Sequence, residues 1–151
     1  EHNVMFAGGY DNKKINPTQI KSEHKFTGRA VGLVESDGGN GGRIFLDGVA
    51  TLNFANATST LTADFDNWYD VKIVQNADGT NTDMQLSDYK INQMGWDMRV
   101  QNTNIDNATM NIGYYGPYGN TGNPTEATGT AAFDEGAGGI KMDMAFGVKQ
   151  Q

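Results

Sequence analysis

The chain has 151 residues, a formal net charge of −7 and a sequence pI near 4.6, a length that fits one domain with a substantial core. The acidic balance and the scattered Lys and Arg exclude a phosphate-gripping surface, so nucleic acid and anionic membrane are poor partners. Cysteine is absent, which excludes disulfides, thiolate catalysis and cysteine metal sites, and no apolar run of about 18 residues offers a membrane-spanning helix.

Residues 1–22 carry no sustained period and read as an irregular N-terminal extension. They lack the basic start and long apolar run of a signal peptide. The best helical window, 16–24, is marginal, with only Ile20 and the flanking Phe26 as apolar anchors. From 25 to 34 the chain reads as a strand with Gly28, Ala30 and Gly32 on one face, small residues of the kind found where a strand bends or runs close to other backbone. In 43–54, Ile44, Leu46, Gly48, Ala50, Leu52 and Phe54 alternate with Arg43, Asp47, Thr51 and Asn53, which predicts one long strand with one buried face. "NATST" at 56–60 turns the chain, after which Ser59, Leu61, Ala63 and Phe65 share a face.

The same period continues through Val71 and Ile73, then a weaker strand over 83–91, then Met94, Trp96, Met98 and Val100. It resumes in Ala108, Met110, Ile112 and Tyr114, in Ala127, Gly129, Ala131 and Phe133, and in Ile140, Met142, Met144, Phe146 and Val148. Turn clusters such as "ESDGGNGG", "NADGTNTD" and "DEGAGG" separate the runs. The expected architecture is all-β, with eight or nine antiparallel strands in consecutive hairpins. Such a chain closes most simply into an up-and-down eight-stranded β-barrel, a single domain over 1–151; a two-sheet sandwich is the competitor.

Groups able to do chemistry are few. His2 and His24 are the only histidines. His24 stands at a strand start on the parity of Phe26 without a visible partner set, which favours a structural role; the alternative is an axial heme ligand. Glu23, Glu35, Glu126 and Glu135 lack the paired spacing of a glycosidase. "NADGTNTD" departs from the EF-hand pattern and reads as a hairpin turn around Asp78-Gly79, and "SDGGNGG" has neither the lysine nor the helix of a phosphate cradle. No serine sits in a nucleophile elbow, so the expectation is a protein that is not an enzyme. Asn56 and Asn107 begin "NAT" triplets, glycosylation acceptors in a eukaryotic secreted chain and otherwise turns. Met94, Met98, Met110, Met142 and Met144 fall on the inward parity as core filler. If Tyr114 is buried with Ile112, Tyr115 points outward, either as a contact residue or packed under its own loop.

The segment "IGYYGPYGNTGNPTEATGTAAF" joins a Gly-aromatic-Tyr-Gly-Pro turn to an acidic residue and a Gly-containing strand, through Tyr114, Tyr115, Gly116, Pro117, Glu126 and Gly129. With "AFGVKQQ" at the end and "GVATLNFANATSTLTADF" as a long first hairpin, it resembles the C-terminal eight-stranded barrels of transferrin-binding protein B, of the neisserial factor H-binding and heparin-binding antigens and of hemophilin-type heme scavengers. The resemblance runs from about Lys25 onward; the loop "YGNTGNPTE" is longer than the family's. It implies a surface lipoprotein of the Gram-negative outer membrane, or a secreted relative, in iron or heme acquisition or host interaction. The partner would be a host protein of the transferrin, hemoglobin or complement-regulator class, or heme, with any lipid anchor outside this chain.

With a barrel interior filled by side chains, recognition is expected on the loops and outer faces of 35–42, 66–69 and 115–126. The candidate partner-binding residues are Trp68, Tyr69, Tyr115, Tyr118 and Glu126, and His24 is the candidate heme residue. Two alternatives stand beside this. One is a small-ligand carrier with an internal cavity lined by Trp96, Met98 and Met110; the other is a host-colonisation factor in which the barrel is a scaffold.

Overall fold

In a computed structural model the described residues are 12–36, 42–66, 68–87, 89–93, 96–100, 103–117, 122–136 and 139–151. The strands are β1 (Asn12–Ile15), β2 (His24–Ser36), β3 (Arg43–Ala55), β4 (Thr58–Phe65), β5 (Asp70–Asn76), β6 (Asp83–Ser87), β7 (Tyr89–Gln93), β8 (Trp96–Val100), β9 (Thr103–Ile105), β10 (Thr109–Pro117), β11 (Glu126–Asp134) and β12 (Ile140–Gln150). One antiparallel ten-stranded sheet runs β1-β10-β11-β12-β2-β3-β4-β5-β6-β9, and β7 and β8 pair separately. The all-β architecture of consecutive hairpins is what the alternation predicts. The strand count differs from eight for two local reasons. Asn12–Ile15, within the stretch expected to be irregular, lies against Tyr114–Pro117 as an edge strand. The expected weak strand over 83–91 ends at Ser87, and the chain forms the β7–β8 hairpin before β9 returns to pair with β6.

Turn chemistry places the hairpins. Asn56 and Ala57 both take positive φ, 51° and 57°, the two-residue turn whose twist suits a right-twisted hairpin. Asn107 at φ 61° turns β9 into β10. Both "NAT" triplets therefore begin at turn residues.

The sheet curls into a half-barrel around one apolar face. Phe26, Leu52, Leu61, Ile73 and Phe146 on that face are fully buried. Its curl is visible in bonds between strands far apart in the sheet order. The Tyr114 hydroxyl on β10 lies 2.7 Å from Ser59 Oγ on β4, and Gln75 Nε2 on β5 donates to the Met110 carbonyl of β10 at 2.9 Å. The Tyr114 ring packs 5.8 Å from Phe26 and edge-on at 5.7 Å to Phe54. Burial pushes its phenol up to about 12, against a smaller opposing effect of the Ser59 hydrogen bond.

Small residues make room for this curl. Tyr114, Ala127, Val148, Gly28, Ala50 and Ala63 face one another across six strands. A Cβ on Gly28 would lie 2.0 Å from the Gly147 carbonyl oxygen, and one on Gly48 2.1 Å from that of Asp64. Bare backbone at these points lets neighbouring strands approach where the sheet bends.

Candidate functional site

Strand direction sorts the sequence-predicted contact residues to opposite ends of the half-barrel. β4 and β11 finish at the end that carries Trp68 and Tyr69, whereas Tyr115 and Glu126 stand at the other end of β10 and β11. The nine residues of β11 separate the two sets by about 26 Å, so they do not form one site. Trp68 is 4% exposed and stacks on Phe133 at 6.5 Å, with Tyr69 edge-on at 4.8 Å; it closes the end of the core. Tyr69 is half-buried, and its phenol is raised by burial and by the negative charge of Glu135. Tyr114 is fully buried and Tyr115 half-buried on the opposite parity. The Tyr115 ring folds back over Gly113, where an added Cβ would lie 2.9 Å from its hydroxyl. Its cross-strand neighbours are Lys14 and Glu126, and Glu126 in turn faces Lys149. Tyr118 lies outside the described residues, as do His2 and Met94.

His24 is 7% exposed. Its Nε2 lies 3.0 Å from Ser22 Oγ, its ring 6.3 Å from Phe26, and its Nδ1 is buried without a hydrogen-bond partner. Burial lowers its pKa. It lines neither of the two cavities described below. Met110 is in the core, 4% exposed; the side chains of Trp96 and Met98 lie outside the described set. Among the described residues no group of three His, Asp or Glu side chains is placed to hold a metal ion.

Near Trp68, Asp70 is pushed up to about 6, first by burial, then by its hydrogen bond to the Asp64 carboxyl and that group's negative charge. A carboxyl whose folded pKa exceeds its usual value stabilises the fold fully below about pH 4 and loses that contribution as pH rises through about 6. Asp70→Asn is therefore expected to be more stable than the wild type by about 1 kcal/mol at pH 8, after allowing for solvent screening. The gain should vanish near pH 4, as read from urea unfolding at the two values. An equal gain at both would mean that the two carboxyls do not share a proton.

Among the described residues the most exposed large apolar side chains lie elsewhere, on β3: Phe45 at 68%, Val49 at 55% and Ile44 at 40%. Ile44 is expected inward from its parity. It is exposed because β4 pairs with β3 only from Gly48 onward, so 43–47 overhang the sheet beside β2 alone. Phe45 and Val49 sit on the parity that is otherwise polar, as do Val31 and Leu33 of β2 and Ala145 of β12. Here the outer face forms a groove of about 640 Å³. Two ladder rows line it: Thr109, Ala132, Asp143, Leu33 and Phe45, then Asn111, Thr130, Ala145, Val31 and Asp47. Asp47 is held by Arg29, and Glu35 by Arg43 at 3.4 Å. Apolar residues on the solvent parity were the sequence signal for this surface. The regular inward series masks it, because a mostly polar outer face is read as solvated.

A second cavity, about 750 Å³, opens between β1 with β10 and the turn at 76–79. Its floor is Ser59, Gln75 and Tyr114, which hydrogen-bond one another's strands as described above.

No family model, curated protein or solved structure matches this chain.

Proposed function

We propose that this is a non-catalytic binding domain that captures a protein partner on the outer face of β2, β3 and β12. The observation that carries the reading is Phe45, 68% exposed, opposite Leu33 in register and lining a 640 Å³ groove. Contiguous apolar surface of this kind marks interaction sites in soluble domains, and large aromatics dominate the energetics of interfaces. The resemblance of 110–134 and of the closing strand to the transferrin-binding-protein-B-type barrels supports a place on a Gram-negative surface or in its secretions. It also supports a host protein as the partner, and an eight-stranded barrel as the ancestral plan.

Phe45→Ser is expected to lower affinity for the captured partner by at least about 30-fold, the scale of an interface hot spot, with an unchanged thermal transition. The measurement is surface plasmon resonance against transferrin, hemoglobin and a complement regulator, with Tyr115→Ala as the loop comparison. Equal binding by Phe45→Ser and wild type would remove the outer face as the site. The 750 Å³ cavity with its polar floor supports a second reading, a small-ligand carrier. Its discriminating result is a ligand whose binding responds to Gln75→Leu and not to Phe45→Ser.

A further inference from the structure

We infer that the outer groove takes a short extended segment of another protein, one that places a lysine or arginine between apolar side chains. This rests on the outer-face reading and adds the chemistry of what binds there. The groove crosses five strands, β3, β2, β12, β11 and β10. Four interstrand spacings make about 19 Å, the length of about six extended residues. Its β3 end carries the apolar Phe45, Leu33 and Val31 together with Asp47, which Arg29 holds; its β10 end is polar, with Thr109 and Asn111.

Asp143 stands between these ends. In register it lies between Leu33 and Ala132, half-buried, and Ala145 beside it is buried. The neighbouring outer carboxylates Asp47 and Glu35 have arginine partners; Asp143 has no ion-pair partner among the described residues. A purely apolar occupant would strip water from this carboxylate and return nothing, which opposes binding. A cation laid over it converts the cost into a charge-assisted hydrogen bond. The net charge of −7 attracts a basic partner over distance. A second copy of this chain is disfavoured, because a two-fold contact on this groove would bring the Asp143 carboxylates of both copies to one interface.

The probe is an N-acetylated, C-amidated hexapeptide of sequence Val-Ser-Lys-Ser-Val-Ser, which sets one lysine between two valines on one face of the extended chain, titrated by NMR chemical shifts into the whole chain, with the counterpart carrying glutamate in place of the lysine as control. The lysine peptide should shift the amides of Leu33, Phe45 and Asp143, and the glutamate peptide should bind at least tenfold more weakly. Asp143→Asn should weaken the lysine peptide about tenfold with an unchanged thermal transition, and raising NaCl from about 50 to 300 mM should weaken it in the wild type and less in the variant. No shifts at millimolar peptide, or equal binding of both peptides, overturns the inference. If Asp143→Asn binds the lysine peptide like wild type, the assigned role of that carboxylate is wrong, and the inference falls. The outer-face reading is judged separately: it survives these results if Phe45→Ser still abolishes capture of the protein partner, and falls with them if it does not.

Discussion

Tyr114→Ala is expected to lower the free energy of unfolding by about 3–5 kcal/mol, the range for removing a fully buried aromatic ring from a core. Tyr114 is 0% exposed and touches the rings of Phe26 and Phe54 while its hydroxyl holds Ser59 at 2.7 Å. The ring belongs to β10, and its partners belong to β2, β3 and β4 across the concave face. Its loss therefore opens the curled sheet rather than one hairpin. Tyr114→Phe separates the two contributions. It keeps the ring and leaves the 3% exposed Ser59 hydroxyl without that partner, at a cost of about 1–3 kcal/mol. Urea unfolding of both variants is the measurement. A loss under about 1 kcal/mol for Tyr114→Ala would mean that β10 is held in place by its neighbours β11 and β1 alone.

Gly28→Ala is the second large effect, a loss of about 1–3 kcal/mol or more from overpacking. The new methyl carbon would stand 2.0 Å from the Gly147 carbonyl oxygen and 2.8 Å from the Val148 Cα. Both are backbone atoms, so relief requires β2 and β12 to separate at the third pair from the Phe26–Gln150 end of their ladder. Gly48→Ala meets the Asp64 carbonyl in the same way, at 2.1 Å. Gly42→Ala is the control: nothing lies within 4 Å of its added carbon, and its change should stay within about 0.5 kcal/mol. If Gly28→Ala were as mild as Gly42→Ala, the close strand approach at the bend would not constrain the fold.

Much of the fold was legible because strand geometry is local. Successive side chains leave opposite faces of a strand whatever it pairs with, so the inward parity of Leu46, Leu52, Leu61, Phe133 and Phe146 followed from spacing alone, and all are buried. The same rule put Tyr114 inside and Tyr115 outside. Glycines on the inner parity at 28 and 32 marked the bend before any strand partner was known. The candidate site was less legible. Trp68 reads as a contact residue from its turn-like surroundings, and it became a core cap because Phe133, far along the chain, lies beneath it. His24, on the parity of Phe26 and read chiefly as structural or exposed, is buried beside that ring.

By itself the sequence determined the class of the fold, the side of each long strand that faces the core, the places where the chain turns, and the net negative charge. Tertiary structure alone decided that Trp68 and Tyr69 sit at the opposite end from Tyr115 and Glu126, that β3 overhangs β4 and exposes Ile44 and Phe45, and that Asp143 lines the outer groove with no ion-pair partner among the described residues. The reason is range. Alternation is set by two neighbouring residues, whereas overhang, groove and charge pairing depend on the register between strands and on the curl of the whole sheet.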